Sequence, residues 1–397
     1  MKTLTGNQQL VKQINKTLVL ETILHEAPIS RADISQKVGL NKGTVSSLVN
    51  ELLEDQLIYE SGPGQSSGGR RPVILLFNDK AGFSIGIDLG VNYILGVLTD
   101  LRGNIIVEVN KKLTVRSYEV VIEILQSVIS DLINAAPQSH YGIVGIGIGV
   151  PGLVNNHGEV LVAPNLGWKN INLREEIENC FDIPVLIENE ANAGAYGEKL
   201  YGAGKENDNI LYISAGIGIG VGIILNGKLF YGMNGFSGEA GHMIVQVNGK
   251  DCTCGSSGCW ELYASEKALL EEARKLKLTG ITEETLSIEL LLELANSGNE
   301  DIINLFHSIG MYLGVGINNI INIFNPEQVI IGNRLTMAKD WLEKSIEKFI
   351  KNHTMKYHQK DLIISFSKHA YYSAAIGVSA QMIDQFLNNA VSILDAQ

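Results

Sequence analysis

The sequence predicts an α/β protein with a small helical head at the N-terminus and a larger body of two related lobes. Three observations predict this division. Two capped helices joined by a glycine turn occur near the start of the chain, and two strand-like segments follow them. A pattern of strand, glycine-rich turn and strand begins at residue 83 and recurs at residue 210. The first 77 residues carry 8 basic and 7 acidic side chains, whereas the rest of the chain carries 23 and 36.

The length and composition are those of a globular protein with more than one domain. A chain of 397 residues suits two or three domains, and we expect them at residues 1–80 and 81–397. The composition is 45% hydrophobic and 19% charged. There is no run of about 18 apolar residues and no apolar signal core at the N-terminus, so we expect no membrane contact. Four cysteines are too few for a disulfide scaffold, and a cytoplasmic location is therefore expected.

The helices of the head have start and stop signals. TLVLETILHE (17–26) predicts the first helix from its apolar spacing. Ser30 is the candidate cap of the second helix, with Asp33 three residues later, and Gly39 suits the end of that helix. Asn41 is the candidate cap of a third helix, NKGTVSSLVNELLEDQ. Two short helices joined by a tight glycine turn predict a helix-turn-helix.

The third helix is the candidate recognition helix for double-stranded DNA, because the second helix of such a pair enters the major groove. Its polar face carries Lys42, Thr44, Ser46, Ser47 and Asn50. The segments LIYE and PVILLF predict two strands around a wing loop, in which Arg70 and Arg71 are candidate phosphate or minor-groove contacts. An acidic body repels DNA, so DNA binding falls to the head. Two alternatives stay open: the polar face docks a protein, or the two arginines belong to a solvated linker.

The body opens twice in the same way. FSIGIDLGVNYILGVLTD (83–100) predicts two strands around a turn, and IIVEV predicts a third strand. ILYISAGIGIGVGIILNGKLF (210–230) repeats this order, with Asn226-Gly227 as a hairpin turn. The repetition predicts two related lobes with a cleft between them. Glycine loops after strands let backbone N–H groups approach phosphate, although such glycines also serve as ordinary turns.

Polar residues follow other predicted strands of the body. PNLGW (164–168) forms a loop, and IPVLIENEANAGAYGE (183–198) predicts a strand that runs into a helix. Ligand clefts lie at the carboxyl ends of strands. Asn189, Glu190 and Asn192 at this junction suit a polyol, because a sugar hydroxyl both donates and accepts hydrogen bonds. The alternative is that Asn189 or Glu190 only caps the following helix.

Residues 252–261 read CTCGSSGCWE and hold three of the four cysteines. Clustered cysteines outside a disulfide scaffold indicate a metal, and a structural zinc site takes four ligands. Cys180 is one candidate for the fourth ligand, but His242 in GEAGH, ten residues before the first cysteine of the cluster, suits a single closed loop. Unliganded thiols are the alternative. Glu239 and Glu261 flank the cluster, so an ion would hold both carboxylates against one pocket. We expect structural Zn²⁺ on His242, Cys252, Cys254 and Cys259.

Together, GEAGH, CTCGSSGCWE, the GVPG loop, APNLGW, ENEANAG and AAIGVSA (374–380) resemble the ROK family of repressors, open reading frames and sugar kinases. The likeness runs from about residue 83 to residue 385, and the preceding winged helix is typical of the repressor branch. The resemblance implies a two-lobed, actin-like and hexokinase-like (ribonuclease H-like) duplicated α/β fold. It also implies the zinc ligands given above and sugar contacts from Asn165, Asn189, Glu190, Glu239, His242 and Glu261.

The chain departs from the family's kinases on the nucleotide side. Its first loop reads DLGVN (88–92) in place of Asp-x-Gly-Gly-Thr, and its second reads SAG (214–216) in place of Gly-Thr-Gly. Glu190 stands at the position of the kinases' catalytic Asp, and Asn333 replaces one glycine of a pair. Phosphoryl transfer depends on accurate positioning, so we expect no enzyme and no catalytic residue.

These features predict a repressor of sugar-utilisation genes that leaves its operator when a sugar fills the cleft. The expected operator is palindromic, and the expected assembly is a homodimer or a tetramer. Within the repressor branch the likeness is greatest to the xylose-responsive members from bacilli, which implies D-xylose as effector. An active ATP-dependent sugar kinase with an accessory DNA-binding head is one alternative, and a sugar-responsive activator is another.

Overall fold

The computed structural model of the protein describes residues 8–63, 72–115, 117–278, 281–282 and 285–391. The head has the element order of a winged helix: α1 (Gln8–Glu26), β1 (Ile29–Ser30), α2 (Arg31–Val38), α3 (Lys42–Glu54), β2 (Ile58–Pro63) and β3 (Val73–Phe77). Its strands form an antiparallel sheet in the order β1-β3-β2. Helix α1 begins at Gln8 instead of residue 17. The added turns expose Val11 and Ile14, so they carry little of the apolar periodicity that predicts a helix.

Local hydrogen bonds at the helix ends confirm the predicted caps. Ser30 and Asp33 form a capping box at the start of α2, and Gly39 ends that helix in the left-handed conformation with φ of 71°. Oδ1 of Asn41 accepts a hydrogen bond from the Thr44 backbone N–H at 2.8 Å and starts α3. The short glycine turn between two capped ends therefore fixes how α3 is presented.

Each lobe of the body is built on a five-stranded sheet. The first lobe contains β4 (Phe83–Leu89), β5 (Tyr93–Asp100), β6 (Ile105–Lys112), α4 (Tyr118–Ala135), β7 (Ile143–Val150), β8 (Leu153–Val154), β9 (Val160–Ala163), β10 (Trp168–Ile171), α5 (Leu173–Phe181), β11 (Val185–Asn189) and α6 (Glu190–Leu200). Strands β8, β9 and β10 form a separate small sheet beside the main one.

The second lobe contains β12 (Ile210–Ala215), β13 (Ile219–Leu225), β14 (Lys228–Leu229), α7 (Glu261–Ala264), α8 (Glu266–Lys275), α9 (Ile288–Asn296), α10 (Glu300–Phe324), β15 (Gln328–Gly332), α11 (Lys339–His353), α12 (Lys356–Gln359) and β16 (Ile363–Phe366). The last helix, α13 (Ser373–Ala390), packs against β4 and β7 of the first lobe. The sheets have the orders β11-β7-β4-β5-β6 and β14-β13-β12-β15-β16. Each combines two antiparallel pairings of its first three strands with two parallel pairings. This shared topology confirms the predicted duplication.

Helix α13 links the two lobes to the head. It packs against α6 so closely that a Cβ at Gly377 would lie 1.7 Å from the Ala193 carbonyl oxygen. Farther along, Ile383 and Leu387 join the hydrophobic core of the head. The core of the head is therefore continuous with the body. Among the described residues, no helix combines the length and apolar character that crossing a bilayer requires.

Candidate functional site

A cavity of about 580 Å³ lies between the lobes and contains all six predicted sugar contacts. These residues are Asn165, Asn189, Glu190, Glu239, His242 and Glu261. Leu153, Val162 and Pro164 add apolar wall from the small sheet of the first lobe. Polar groups set in a partly apolar wall form the kind of cavity that holds a small polar ligand.

Asn189 and Glu190 lie where β11 ends and α6 begins. Oδ1 of Asn189 caps α6 by accepting from the Ala191 backbone N–H at 2.8 Å, and its Nδ2 donates to the Gly152 carbonyl at 2.8 Å. The capping role that the sequence left open is thus present, and it holds Asn189 in the cavity wall. Burial raises the pKa of Glu190, helped by the charge of Glu239, while a hydrogen bond from Ser214 opposes the shift.

The predicted metal ligands come together. Sγ of Cys252 lies 3.6 Å from Nδ1 of His242, Sγ of Cys254 lies 3.7 Å from Sγ of Cys259, and all four ligand atoms lie within 4.8 Å of one another. Zinc bonded tetrahedrally to sulfur at about 2.3 Å separates two sulfurs by about 3.8 Å. The cluster can therefore hold a metal ion. Cys180 lies on α5 in the first lobe, outside this cluster.

The metal cluster shares residues with the cavity. Nδ1 of His242 faces Cys252, whereas its Nε2 lies 4.0 Å from a carboxylate oxygen of Glu239. Trp260 is fully buried and donates from Nε1 to the Tyr312 carbonyl of α10 at 2.8 Å. This anchor fixes the position of Glu261, the next residue in the chain. Both flanking carboxylates, Glu239 and Glu261, therefore lie beside His242 in the second lobe.

The other end of the cavity contains the two glycine loops and, beside the first of them, Tyr93, which no sequence motif marks. Tyr93 follows the first glycine loop and donates from Oη to Oδ2 of Asp88 at 2.6 Å. Burial raises the pKa of Asp88 to about 8, and the charge of Glu190 adds to the shift while the bond from Tyr93 opposes it. Asn333 donates from Nδ2 to Oγ of Ser214 at 2.9 Å, and Ser214 donates to Glu190 at 3.1 Å.

The candidate DNA-binding residues lie on one helix of the head. Lys42, Ser47 and Asn50 are exposed on α3, whereas Thr44 and Ser46 are half-buried. Arg70 and Arg71 fall outside the described residues.

Arg31 at the start of α2 is a further residue of this surface, one that no sequence motif marks. Its Nη1 donates to Oδ1 of Asn50 at 2.9 Å and to the Ser46 carbonyl at 3.4 Å, and its Nη2 lies 3.1 Å from Glu60 of β2. Arg31 therefore ties α3 to the wing strand. In the sequence, Arg31 stands out only as an arginine directly after a capping serine. Its partners lie 15 to 29 residues farther along the chain, so local spacing does not reveal them.

The two-lobed fold places the chain among the proteins that are built like hexokinase and actin. Within that class it belongs to the ROK family, whose profile matches residues 84–385, and a winged helix-turn-helix DNA-binding profile matches residues 14–59. The xylose repressor of Bacillus subtilis (strain 168) is 44% identical over 383 residues, which span 96% of this chain and 98% of that protein.

Two crystal structures show the same architecture. A ROK family transcriptional regulator, a homologue of the Escherichia coli MLC protein, superposes with a TM-score of 0.80 at 30% identity and covers 97% of this chain and 98% of its own. A ROK family glucokinase from Streptomyces griseus, in complex with glucose and AMPPNP, superposes with a TM-score of 0.70 at 26% identity and covers 76% of this chain and 99% of its own.

Proposed function

We propose that the protein is a transcriptional repressor that binds a palindromic operator as a homodimer and leaves it when D-xylose enters the interlobe cavity. The observation that carries this proposal is that all six candidate sugar contacts line one cavity, in a chain whose head matches a winged helix-turn-helix DNA-binding profile. Xylose is the proposed effector because the relative at 44% identity is a xylose repressor.

The cavity suits a neutral polyol. Glu190, Glu239 and Glu261 are acceptors for hydroxyl protons, while Asn165 and His242 supply donors and acceptors. Burial raises the pKa of Glu239, although the neighbouring His242 opposes that shift. A sugar hydroxyl that donates to these carboxylates replaces the water that the closed cavity excludes.

Zinc is the proposed ion of the Cys₃His cluster, and its role is structural. A site with four protein ligands and no open position serves as a brace. The ion would hold the segments that carry Glu239 and Glu261 in one arrangement before sugar binds. Through the shared His242, metal and sugar would contact opposite nitrogens of one imidazole ring.

Release follows from linkage between the cavity and the head. Helix α6 starts at Glu190 beside the cavity and packs on α13, which in turn enters the core of the head. The head is also bonded to the first lobe, since Tyr141 donates to the Asp55 carbonyl at 2.7 Å and Arg102 to the Leu24 carbonyl at 3.0 Å. A sugar that closes the lobes would therefore move the head against the second lobe.

In a dimer, such a movement changes the distance between two recognition helices, whereas half-sites on DNA demand a fixed separation. To shift the operator from 99% bound to 99% free, the sugar must prefer the released state roughly 10⁴-fold.

The charges that line the same cavity disfavour an ATP-dependent kinase. Five acidic residues line the cavity against three basic ones. Two of these cations are already paired, Lys250 with Glu272 at 2.7 Å and Arg334 with Glu266 at 2.9 Å. A nucleoside triphosphate would meet an excess of negative charge.

The test is fluorescence anisotropy of a labelled duplex from upstream of this protein's gene and its neighbours. D-xylose is titrated first and D-glucose second, without nucleotide. We expect tight binding that xylose reverses, with sedimentation giving two chains per operator. Binding that ignores xylose would refute the effector. No binding to any duplex, together with ADP release from Mg-ATP and sugar, would establish the kinase instead.

A further inference from the structure

Each lobe has one glycine loop at the same point of its sheet. Gly90 follows β4 and Gly216 follows β12, and these strands occupy equivalent central positions in the two sheets. A loop without a side chain leaves backbone N–H groups open to an approaching phosphate. In this protein a side chain from the same lobe covers each loop.

Tyr93 covers the first loop. A Cβ at Gly90 would lie 2.4 Å from Cε1 and 2.6 Å from Cζ of the tyrosine, so the ring rests directly on the glycine backbone. The ring is fixed there because its hydroxyl donates to Asp88, a carboxylate that is 1% exposed. A phosphate at this loop would have to displace both the ring and its hydrogen bond.

Asn333 covers the second loop. A Cβ at Gly216 would lie 2.9 Å from its Nδ2 and 3.1 Å from its Cγ. The amide bridges two groups, since Nδ2 donates to Ser214 at 2.9 Å and Oδ1 accepts from the Arg334 backbone N–H at 2.7 Å.

The backbone of Asn333 has φ of 65° and ψ of −161°, a conformation that belongs almost only to glycine. An asparagine is held in a glycine conformation, and its amide makes both hydrogen bonds. Strain of this kind persists where the surrounding structure fixes it, and it is common at functional positions.

We propose that Tyr93 and Asn333 are specificity-determining residues that close both glycine loops to polyphosphate, so that the cleft takes an uncharged ligand without nucleotide. This inference rests on the proposed function, in which a neutral sugar alone is the effector. The two side chains act alike: each occupies the space directly beside the glycine of its loop. Each also connects to a buried carboxylate, Tyr93 to Asp88 and Asn333, through Ser214, to Glu190.

The test is nucleotide binding by the full-length chain, measured by isothermal titration with Mg-ADP and Mg-AMPPNP. The variants are Tyr93→Ala, Asn333→Gly and the two combined. Tyr93→Phe is the matched control, because it keeps the ring over Gly90 and loses only the hydroxyl. Asn333→Gly suits the backbone conformation and should fold at least as well as the wild type. Far-UV circular dichroism and a cooperative thermal unfolding transition report whether each variant is folded.

We expect no nucleotide binding by the wild type or by Tyr93→Phe, and measurable binding by the combined variant. The affinity of the combined variant for nucleotide should be at least about 10-fold above the upper limit measured for the wild type, which is the value of one hydrogen bond to a charged group. If Tyr93→Ala does not fold, Asn333→Gly alone should still show a gain. Nucleotide binding by the wild type, or none by any folded variant, would overturn the proposal. The proposed function fails separately, if xylose leaves wild-type protein on its operator.

Discussion

The two ends of the interlobe cavity use polar side chains in opposite ways. At one end, Glu239, His242 and Glu261 line the cavity beside the candidate metal cluster. At the other end, the polar atoms of Tyr93 and Asn333 are hydrogen-bonded to neighbouring groups of the protein. Under the proposed function, the first end binds the sugar and the second end takes no phosphate.

If both proposals hold, the cleft combines a sugar site with phosphate loops that are covered by the protein's own side chains. A buried polar group must find a partner, so a glycine loop that binds no phosphate needs its partners within the protein. Gly90 and Gly216 are each covered by a side chain of the same lobe, Tyr93 and Asn333 respectively. Variants at the two ends of the cavity should therefore have different effects.

The largest effect is expected from removing the brace. Cys254→Ser should release the metal, lower the free energy of unfolding by several kcal/mol, and abolish the response to sugar, because metal-binding energy is folding energy. Metal content per chain and thermal unfolding, with and without a chelator, measure this. Cys180→Ser is the matched control, since Cys180 is exposed on α5 and lies outside the cluster. A variant at Cys254 that keeps its full metal content would contradict the ligand set.

A single carboxylate at the sugar end should give the next largest effect. Glu239→Ala should weaken xylose binding by about 10- to 150-fold, the range for losing a charged hydrogen bond of about 1.5–3 kcal/mol. Operator binding without sugar should stay intact. The control is Glu271→Ala, which removes a carboxylate from the α8 side of the same cavity. Equal losses in the two variants would contradict a specific contact between Glu239 and the sugar.

The third prediction concerns the head, which lies outside the cavity and should not depend on either of its ends. Arg31→Ala should weaken operator binding by about 5- to 30-fold, because one or two hydrogen bonds that orient α3 are lost at about 1 kcal/mol each. Anisotropy on the operator and on a scrambled duplex measures the effect, and the loss should be larger on the operator. Lys37→Ala, on the same helix but paired with Glu26 of α1, is the control. A loss that is equal on both duplexes would mean that Arg31 only contacts phosphate.

The features that the sequence predicts are local or carried by motifs. Ser30, Gly39 and Asn41 sit within a few residues of the groups that they cap, so their roles can be inferred along the chain. The metal cluster and the sugar end were predicted from residue types at fixed spacing, because GEAGH and CTCGSSGCWE keep their partners within one segment. The repeated strand pattern likewise predicted the duplicated sheets.

What the sequence did not predict depends on contacts between distant segments. Asn333 reaches Ser214 from 119 positions away. Nothing in its neighbourhood along the chain marks it as the cover of a loop. Tyr93 is near Asp88 in sequence, yet an aromatic residue at the start of a strand is an ordinary packing residue. Only the closeness of its ring to Gly90 shows what it covers.

The effect that is most specific to the closed end of the cavity concerns pH. Asp88 has a pKa raised from 3.8 to about 8 by burial, so the folded protein holds a proton there that the unfolded chain releases. Between those two values the folded state binds more protons than the unfolded state, and stability must fall as the pH rises. The contribution of Asp88 is at most about 1.4 kcal/mol per pH unit, and it ends above the folded pKa.

Asp88→Asn keeps the shape and the acceptor for Tyr93 but removes the proton exchange. Urea unfolding at about pH 6 and about pH 8 should therefore show a shallower fall in stability for this variant than for the wild type. Asp100→Asn is the control, because that buried carboxylate already accepts the Arg102 backbone N–H at 2.9 Å and the Asn104 backbone N–H at 3.0 Å. If Asp88→Asn keeps the wild-type slope, Asp88 is ionised in the folded protein. The closed end of the cavity would then carry a buried negative charge, which would itself repel phosphate and replace the tyrosine ring as the reason for its exclusion.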